Sequence, residues 1–354
     1  MMRSPISRRA ALLGMGAVGL NFTLPKAGRA AAGKVNFYNY DTYIGETTLA
    51  DFTAATGLEV QMDLFAENDE LFAKLKTGNP GYDVVVATTD YVERMVLANM
   101  LSEIDHNKIP NISNISEEFL DPAFDPGRKH SLPYMWGSVG IGYRKSAVDE
   151  VPDSWSWLYT SDRYAGRISM LGDGQNVFAM ALKLMGESLN GWTPENIAAA
   201  EAMVIKQKPN IAAFAPDNGQ DLLLAGEVDL AMEWNGDILQ VMAEDDDIGY
   251  AIPKEGGMLW EDTLCIPNGG PNPEGAHAFI NYLLDAEAGK EIAEFIQFAT
   301  PNAAAKALTD ESYRNNPAIF PDAAAIANSE VLTYPGQEIT QLIDAAWTRV
   351  KAAG

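Results

Sequence analysis

Five short segments of this chain carry aspartate, several of them beside an aromatic ring. They are Tyr40-Asp41-Thr42-Tyr43, Thr88-Thr89-Asp90-Tyr91, Gly172-Asp173-Gly174-Gln175-Asn176, Trp234-Asn235-Gly236-Asp237 and Trp260-Glu261-Asp262. A carboxylate pairs with an ammonium group through charge-assisted hydrogen bonds. An aromatic face attracts the same cation and covers the methylenes next to it. Converging on one cleft, these residues suit an elongated ligand with ammonium ends and an alkyl middle. Taken singly, each has a plainer role. An Asp ahead of a helix caps free backbone N–H groups, and Asp90 and Asp173 alone fit a cap as well as a ligand contact. A lone Tyr43 or Trp260 fits packing better than recognition. Helix N-termini also favour anions, so a cation site there needs carboxylates that outweigh the dipole.

The elements around these segments explain their placement. Lys34 to Tyr38 reads as a strand, Thr47 to Thr56 as a helix closed by Gly57, and Leu58 to Leu64 as an alternating strand. Asn68 reads as the cap of a helix running to Lys76. Tyr82 to Ala87 reads as a buried strand, followed by a helix near Val92 to Asn99. The rhythm restarts with a strand at Arg167 to Leu171, a helix at Val177 to Met185, a strand at Val228 to Glu233 and a helix from about Ile238. Such alternation predicts α/β layers with largely parallel strands, here as two lobes. In open α/β sheets, ligands bind beyond the carboxyl ends of strands. The first four segments each follow a strand at that end.

The chain has 354 residues and a net charge of −24. Ser7-Arg8-Arg9 opens an apolar run to about Leu24, followed by Ala30-Ala31-Ala32. This is the pattern of a secretory leader over 1–32, and the paired arginines resemble the twin-arginine export type. The apolar core is too short to span a bilayer. Gly14-Met15-Gly16-Ala17-Val18-Gly19 spells a dinucleotide-binding pattern, but inside a removed leader it carries no such meaning. The leader holds five basic and no acidic residues, so the mature chain is more acidic still. That surface repels nucleic acid and attracts small cations. The single cysteine, Cys265, sits in an apolar run and reads as a small buried hydrophobe. The three histidines are scattered without metal-ligand spacing, so neither a metal nor another cofactor is expected.

The segments Phe37-Tyr38-Asn39-Tyr40-Asp41-Thr42-Tyr43, Tyr82-Asp83-Val84-Val85-Val86, Pro133-Tyr134-Met135-Trp136-Gly137, Trp234-Asn235-Gly236 and Pro253-Lys254-Glu255-Gly256-Gly257 resemble the periplasmic spermidine/putrescine-binding proteins, over nearly the whole mature chain. The resemblance implies a type II periplasmic binding protein fold, with each lobe a mainly parallel sheet flanked by helices and the lobes joined by crossing segments. It places one lobe at 33–138 plus 260–308 and the other at 139–259 plus 309–354. It implies a periplasmic monomer that binds a small cationic ligand, putrescine or spermidine, and delivers it to the membrane subunits of an ABC importer. By the same likeness Tyr43, Trp234 and Trp260 form an aromatic box, and Asp173 and Asp262 pair ammonium groups. Asp237 matches an aspartate of the putrescine-preferring branch. The chain departs from the family at Tyr40 (usually Trp), Asn176 (Glu), Phe298 (Tyr), Leu332 (Gln in the spermidine branch) and Asp90 (aromatic or Ser). With Asp41 and Thr88, and without Leu332, these residues make up the expected site. Two rival readings remain open: a binding protein for another cationic metabolite, such as an amino-terminal amide or a quaternary amine, and a secreted hydrolase using paired carboxylates. Against the hydrolase stands the lack of a Ser nucleophile elbow, metal cluster or phosphate-cradling loop in the sequence.

Overall fold

In Lys34–Asn39 (β1), Val35, Phe37 and Tyr38 turn inward and are fully buried. The computed structural model describes residues 33–353 except 217, so the leader expected over 1–32 lies outside the described residues. Nine further strands follow: Glu59–Leu64 (β2), Val84–Thr88 (β3), Ser131–Arg144 (β4), Ile168–Leu171 (β5), Ile211–Ala215 (β6), Leu230–Trp234 (β7), Ile248–Ala251 (β8), Met258–Cys265 (β9) and Glu330–Val331 (β10). They join in one mixed sheet of order β2-β1-β3-β9-β4-β7-β5-β6, with β10 on β9 and β8 on β4.

Apart from the short parallel pair of β10 with β9, parallel pairs lie at the flanks and antiparallel pairs at the centre. β1 runs parallel to β2 and β3, and β5 runs parallel to β6 and β7. Between these wings, β9 is antiparallel to β3 and β4, and β4 is antiparallel to β7. The largely parallel expectation therefore holds at the flanks but not at the centre, where two strands connect the lobes. β4 makes the crossing: Ser131–Val139 pairs with β9, whereas Val139–Arg144 pairs with β7 and β8. Pro133, which cannot donate to a ladder, sits where the register shifts between Pro133 and Met135.

Helices cover both wings. On the β1 side Phe279, from the helix Pro273–Leu283, meets Phe37 and Phe52 edge-on at 5.1 and 5.0 Å. On the β5 side Trp347, from the C-terminal helix Gln337–Ala352, packs edge-on against Phe214 (4.9 Å) and Phe178 (5.8 Å). Gly174 opens the helix Gly174–Leu184 against that indole, where a Cβ would lie 2.5 Å from the Trp347 ring. Cys265 is buried, as its apolar neighbours require. Among the described residues no helix is long and apolar enough to cross a membrane.

Two local expectations are corrected. Asn68 is not a cap: the helix Asn68–Lys76 begins with it, and no side chain caps that end. Its amide instead donates to the Tyr40 hydroxyl (2.6 Å) and accepts from the Thr88 N–H (3.4 Å). The helix after β3 spans Thr89–Leu97 rather than starting near Val92, which puts Asp90 in its first turn and not at its cap.

A candidate ligand cleft

All twelve expected site residues (Tyr40, Asp41, Tyr43, Thr88, Asp90, Asp173, Asn176, Trp234, Asp237, Trp260, Asp262 and Phe298) line a single cleft of about 1090 Å³, including its open mouth. The strand ends deliver most of them. Tyr40, Asp41 and Tyr43 follow β1, Asp90 follows β3, Asp173 and Asn176 follow β5, and Asp237 follows β7. Both wings of the sheet therefore contribute. Trp260 and Asp262 arrive differently, from the middle of β9, where alternation turns residues two apart to the same face. Glu261 between them faces away and meets the fully buried Arg128 at 2.6 Å.

The aromatic residues form a chain of edge-to-face contacts. Tyr40 meets Tyr43 at 5.6 Å, Tyr43 meets Phe298 at 5.3 Å, Phe298 meets Trp260 at 5.1 Å, and Trp260 meets Trp234 at 5.7 Å, with interplanar angles of 76–90°. Glycines make room for it. A Cβ on Gly137 would lie 2.6 Å from the Trp260 ring, and one on Gly236 would lie 2.4 Å from Phe298. The Tyr43 backbone is pinned as well, because its carbonyl accepts from the Asn39 amide (2.9 Å) and the Tyr134 hydroxyl (3.0 Å). Asn235 ties the two ends of the region together: its Oδ1 accepts from Ser138 N–H (3.1 Å) and its amide donates to the Ala318 carbonyl (2.9 Å).

Seven carboxylates line the cleft, and no Lys or Arg does so among the described residues. Asp173 is both a cap and a cleft residue, since its carboxylate accepts from the Asn176 N–H at 2.8 Å. Burial pushes its carboxyl up to about 7, against that hydrogen bond and with help from Asp69, Asp90 and Glu67 nearby. Burial likewise holds Asp262 up at about 7; contact with Tyr43 counters this, and the fields of Glu261 and Asp90 add to it. Asp262 Oδ1, the Tyr43 hydroxyl and Trp260 Nε1 are all buried with no well-formed hydrogen bond among the described residues. Asp90 rises only to about 6, because Thr88 Oγ1 donates to it at 2.7 Å and backbone N–H groups oppose the burial. Isolated carboxylates taken out of water favour their neutral form, and a cationic partner restores the charge. The cleft is thus built to receive positive charge between aromatic walls.

Sequence reasoning missed part of this lining. Glu67, Asn68 and Asp69 lie beyond the end of β2, and Tyr91 stands beside Asp90. The same rule of looking past each strand end finds Glu67 and Asp69 once it is applied to β2. Burial pushes the Glu67 carboxyl up, with Asp69 adding to the shift. Leu332, a departure from the resembled family, also lines the cleft and is buried.

Two α/β lobes joined by crossing strands, with an acidic and aromatic cleft fed from both wings, define a type II periplasmic binding protein. The chain belongs to the family of bacterial extracellular solute-binding proteins, whose profile it matches over residues 47–321. It is 39% identical over 296 residues to the spermidine/putrescine-binding periplasmic protein of Escherichia coli (strain K12), covering 83% of this chain and 85% of that protein. It is 32% identical over 333 residues to a putrescine/cadaverine-binding protein of Pseudomonas aeruginosa, covering 91% and 94%. Among solved structures it resembles PotD, the spermidine/putrescine ABC transporter substrate-binding protein of Streptococcus pneumoniae. The TM-score is 0.78 at 31% identity, over 91% of this chain and 99% of that one.

Proposed function

We propose that this protein is the periplasmic substrate-binding component of an ABC importer and captures a polyamine, putrescine or spermidine, between its lobes. The observation that carries the reading is the cleft lining: seven carboxylates, no basic side chain among the described residues, and a continuous run of aromatic rings. Asp173 and Asp262 take ammonium groups, and Tyr43, Trp234, Trp260 and Phe298 cover the methylenes and add cation–π attraction. The relatives named for putrescine, cadaverine or spermidine support the same class of ligand. We assign 33–138 plus 260–308 to one lobe and 139–259 plus 309–354 to the other. The change of pairing partner at Val139, halfway along β4, supports the first of these boundaries. The ligand draws the lobes together because it binds the closed form better than the open one. The reading is of a carrier rather than a hydrolase, so the amine leaves the cleft chemically unchanged.

A thermal-shift panel of diamines, polyamines, quaternary amines and amino acids tests the assignment. A ligand at a hundred times its Kd stabilises the folded state by about 2.7 kcal/mol, so putrescine or spermidine should raise Tm by several degrees. No shift with either, against a clear shift with a quaternary amine or an amino acid, overturns the proposal.

A further inference from the structure

Asp173 enters the cleft between two glycines, and both are held from behind. Gly172 follows β5 and lies against Pro216, just past β6; a Cβ on it would come within 2.9 Å of the Pro216 Cα. Gly174, the first residue of the helix Gly174–Leu184, lies against Trp347; a Cβ there would come within 2.5 Å of the indole. The same indole reaches the other side of Asp173, where its Nε1–H donates to the Gly172 carbonyl at 3.1 Å. One side chain therefore holds the residue before Asp173 and the residue after it. Between these points Asp173 has an extended backbone, with φ −95° and ψ 127°, and its Oδ1 accepts from the Asn176 N–H at 2.8 Å. Trp347 is 7% exposed and is not among the residues that line the cleft. Its helix is tied down near its end: Arg349 bonds to Glu201 at 2.6 and 2.7 Å, and Lys208 Nζ donates to the Val350 and Lys351 carbonyls at 2.9 and 2.8 Å.

We propose that Trp347 is a positioning residue for ligand binding: it sets the backbone on both sides of Asp173 and so aims that carboxylate at the ligand's ammonium group. This rests on the polyamine reading above, in which Asp173 takes one ammonium. The helix cap engages only Oδ1 of Asp173. Where the other oxygen meets the ligand depends on the direction of the Cα–Cβ bond, which follows from the two peptides that Trp347 holds. Hydrogen bonds weaken steeply as their angle departs from linear, so a displaced carboxylate forfeits part of its pairing. A binding group keeps its geometry when packing and hydrogen bonds behind it lock its conformation. Trp347 supplies both, the packing through its ring against Gly174 and the hydrogen bond through its N–H.

Titration calorimetry with putrescine tests this by introducing Trp347→Phe into wild type, into Asp173→Asn and into Asp262→Asn. Phenylalanine keeps a ring beside Gly174 and removes the N–H donor. The lost hydrogen bond should weaken putrescine binding about threefold to tenfold in wild type, and by the same factor in Asp262→Asn. In Asp173→Asn, whose side chain has no charge to aim, the same change should cost less than about twofold. An equal loss in all three backgrounds assigns Trp347 a general structural role and overturns the inference, as does the absence of any loss in wild type. Placing β-(3-benzothienyl)alanine at position 347 keeps the bicyclic ring and puts sulfur where the N–H was, so the comparison stands even if Trp347→Phe does not fold. Wild-type affinity in that protein overturns the inference as well. Wild-type protein that binds putrescine while the losses are the same in every background sinks the positioning role alone. Wild-type protein that binds neither putrescine nor spermidine sinks the proposed function with it.

Discussion

Replacing Asp262 by Asn keeps the shape of a cleft side chain and removes its charge. Asp262 is 5% exposed, so its pairing with a ligand ammonium takes place out of water. Truncating one partner of such a pair costs roughly 2–5 kcal/mol. At about 1.4 kcal/mol per tenfold, that is about 30-fold to a few thousand-fold in Kd. The wild-type carboxyl sits at about 7, mainly through burial, so below that pH a cationic ligand must displace its proton. One pH unit below, this takes back roughly 1.4 kcal/mol, or about tenfold, of wild-type affinity. Asparagine has no proton to lose. The advantage of wild type over Asp262→Asn should thus be largest near pH 8 and shrink by about tenfold near pH 6. The remaining cleft carboxylates titrate in both proteins, so the change in the ratio reports Asp262 together with its coupling to Glu261 and Asp90. Stability without ligand moves the other way. A carboxyl raised in the folded state contributes stability that is fully present below about pH 4 and is lost as the pH rises through about 7. Near pH 8, Asp262→Asn should therefore unfold no more easily than wild type. Titration calorimetry at the two pH values with urea melts of both proteins is the assay. A variant that binds within threefold of wild type near pH 8, or a ratio that does not change with pH, refutes the reasoning.

Gly137→Ala sets a Cβ 2.6 Å from the Trp260 ring and 2.3 Å from Asn235 Oδ1. It should weaken polyamine binding by tenfold or more and alter tryptophan fluorescence; wild-type affinity would show that the cleft tolerates a shifted indole. Arg128→Met leaves Glu261 buried without its cation at 2.6 Å and should cost roughly 3–5 kcal/mol in urea unfolding, with a loss under about 1 kcal/mol counting against the pair as a support for β9. Small-angle scattering should show a more compact particle with saturating ligand. An unchanged profile, from a free protein that is no more compact than the bound one, argues against hinge closure.

The outer strands were legible because their patterns are local. Val84-Val85-Val86 is a short apolar run ending in polar residues, and Gly57 closes its helix with a φ of 76°. The central strands were not. β4 is buried along nearly its whole length, and Pro133, Gly137, Gly140 and Gly142 interrupt the strand signal carried by Tyr134, Trp136, Val139, Ile141 and Tyr143. Its pairing with β9 joins residues more than a hundred positions apart, which no window along the chain can reveal. Reading beyond strand ends located Asp41, Asp90, Asp173 and Asp237, and the same step past β2 would have added Glu67 and Asp69. Asp262 lies in mid-strand and was found by its pairing with Trp260. Phe298 carries no signal of its own and came only from family resemblance. The role of Asn68 was misread because an Asn ahead of a helix has the composition of a cap, whereas its amide is occupied by Tyr40 and Thr88.

The central claim is that the cleft holds an ammonium at each end of its ligand. Titration calorimetry of the wild-type protein with putrescine and with N-acetylputrescine tests it most directly. Acetylation keeps the chain and neutralises one end, leaving either Asp173 or Asp262 without its cation. The account predicts that the acetylated amine binds at least about 30-fold more weakly. Equal affinity for the two amines would contradict it.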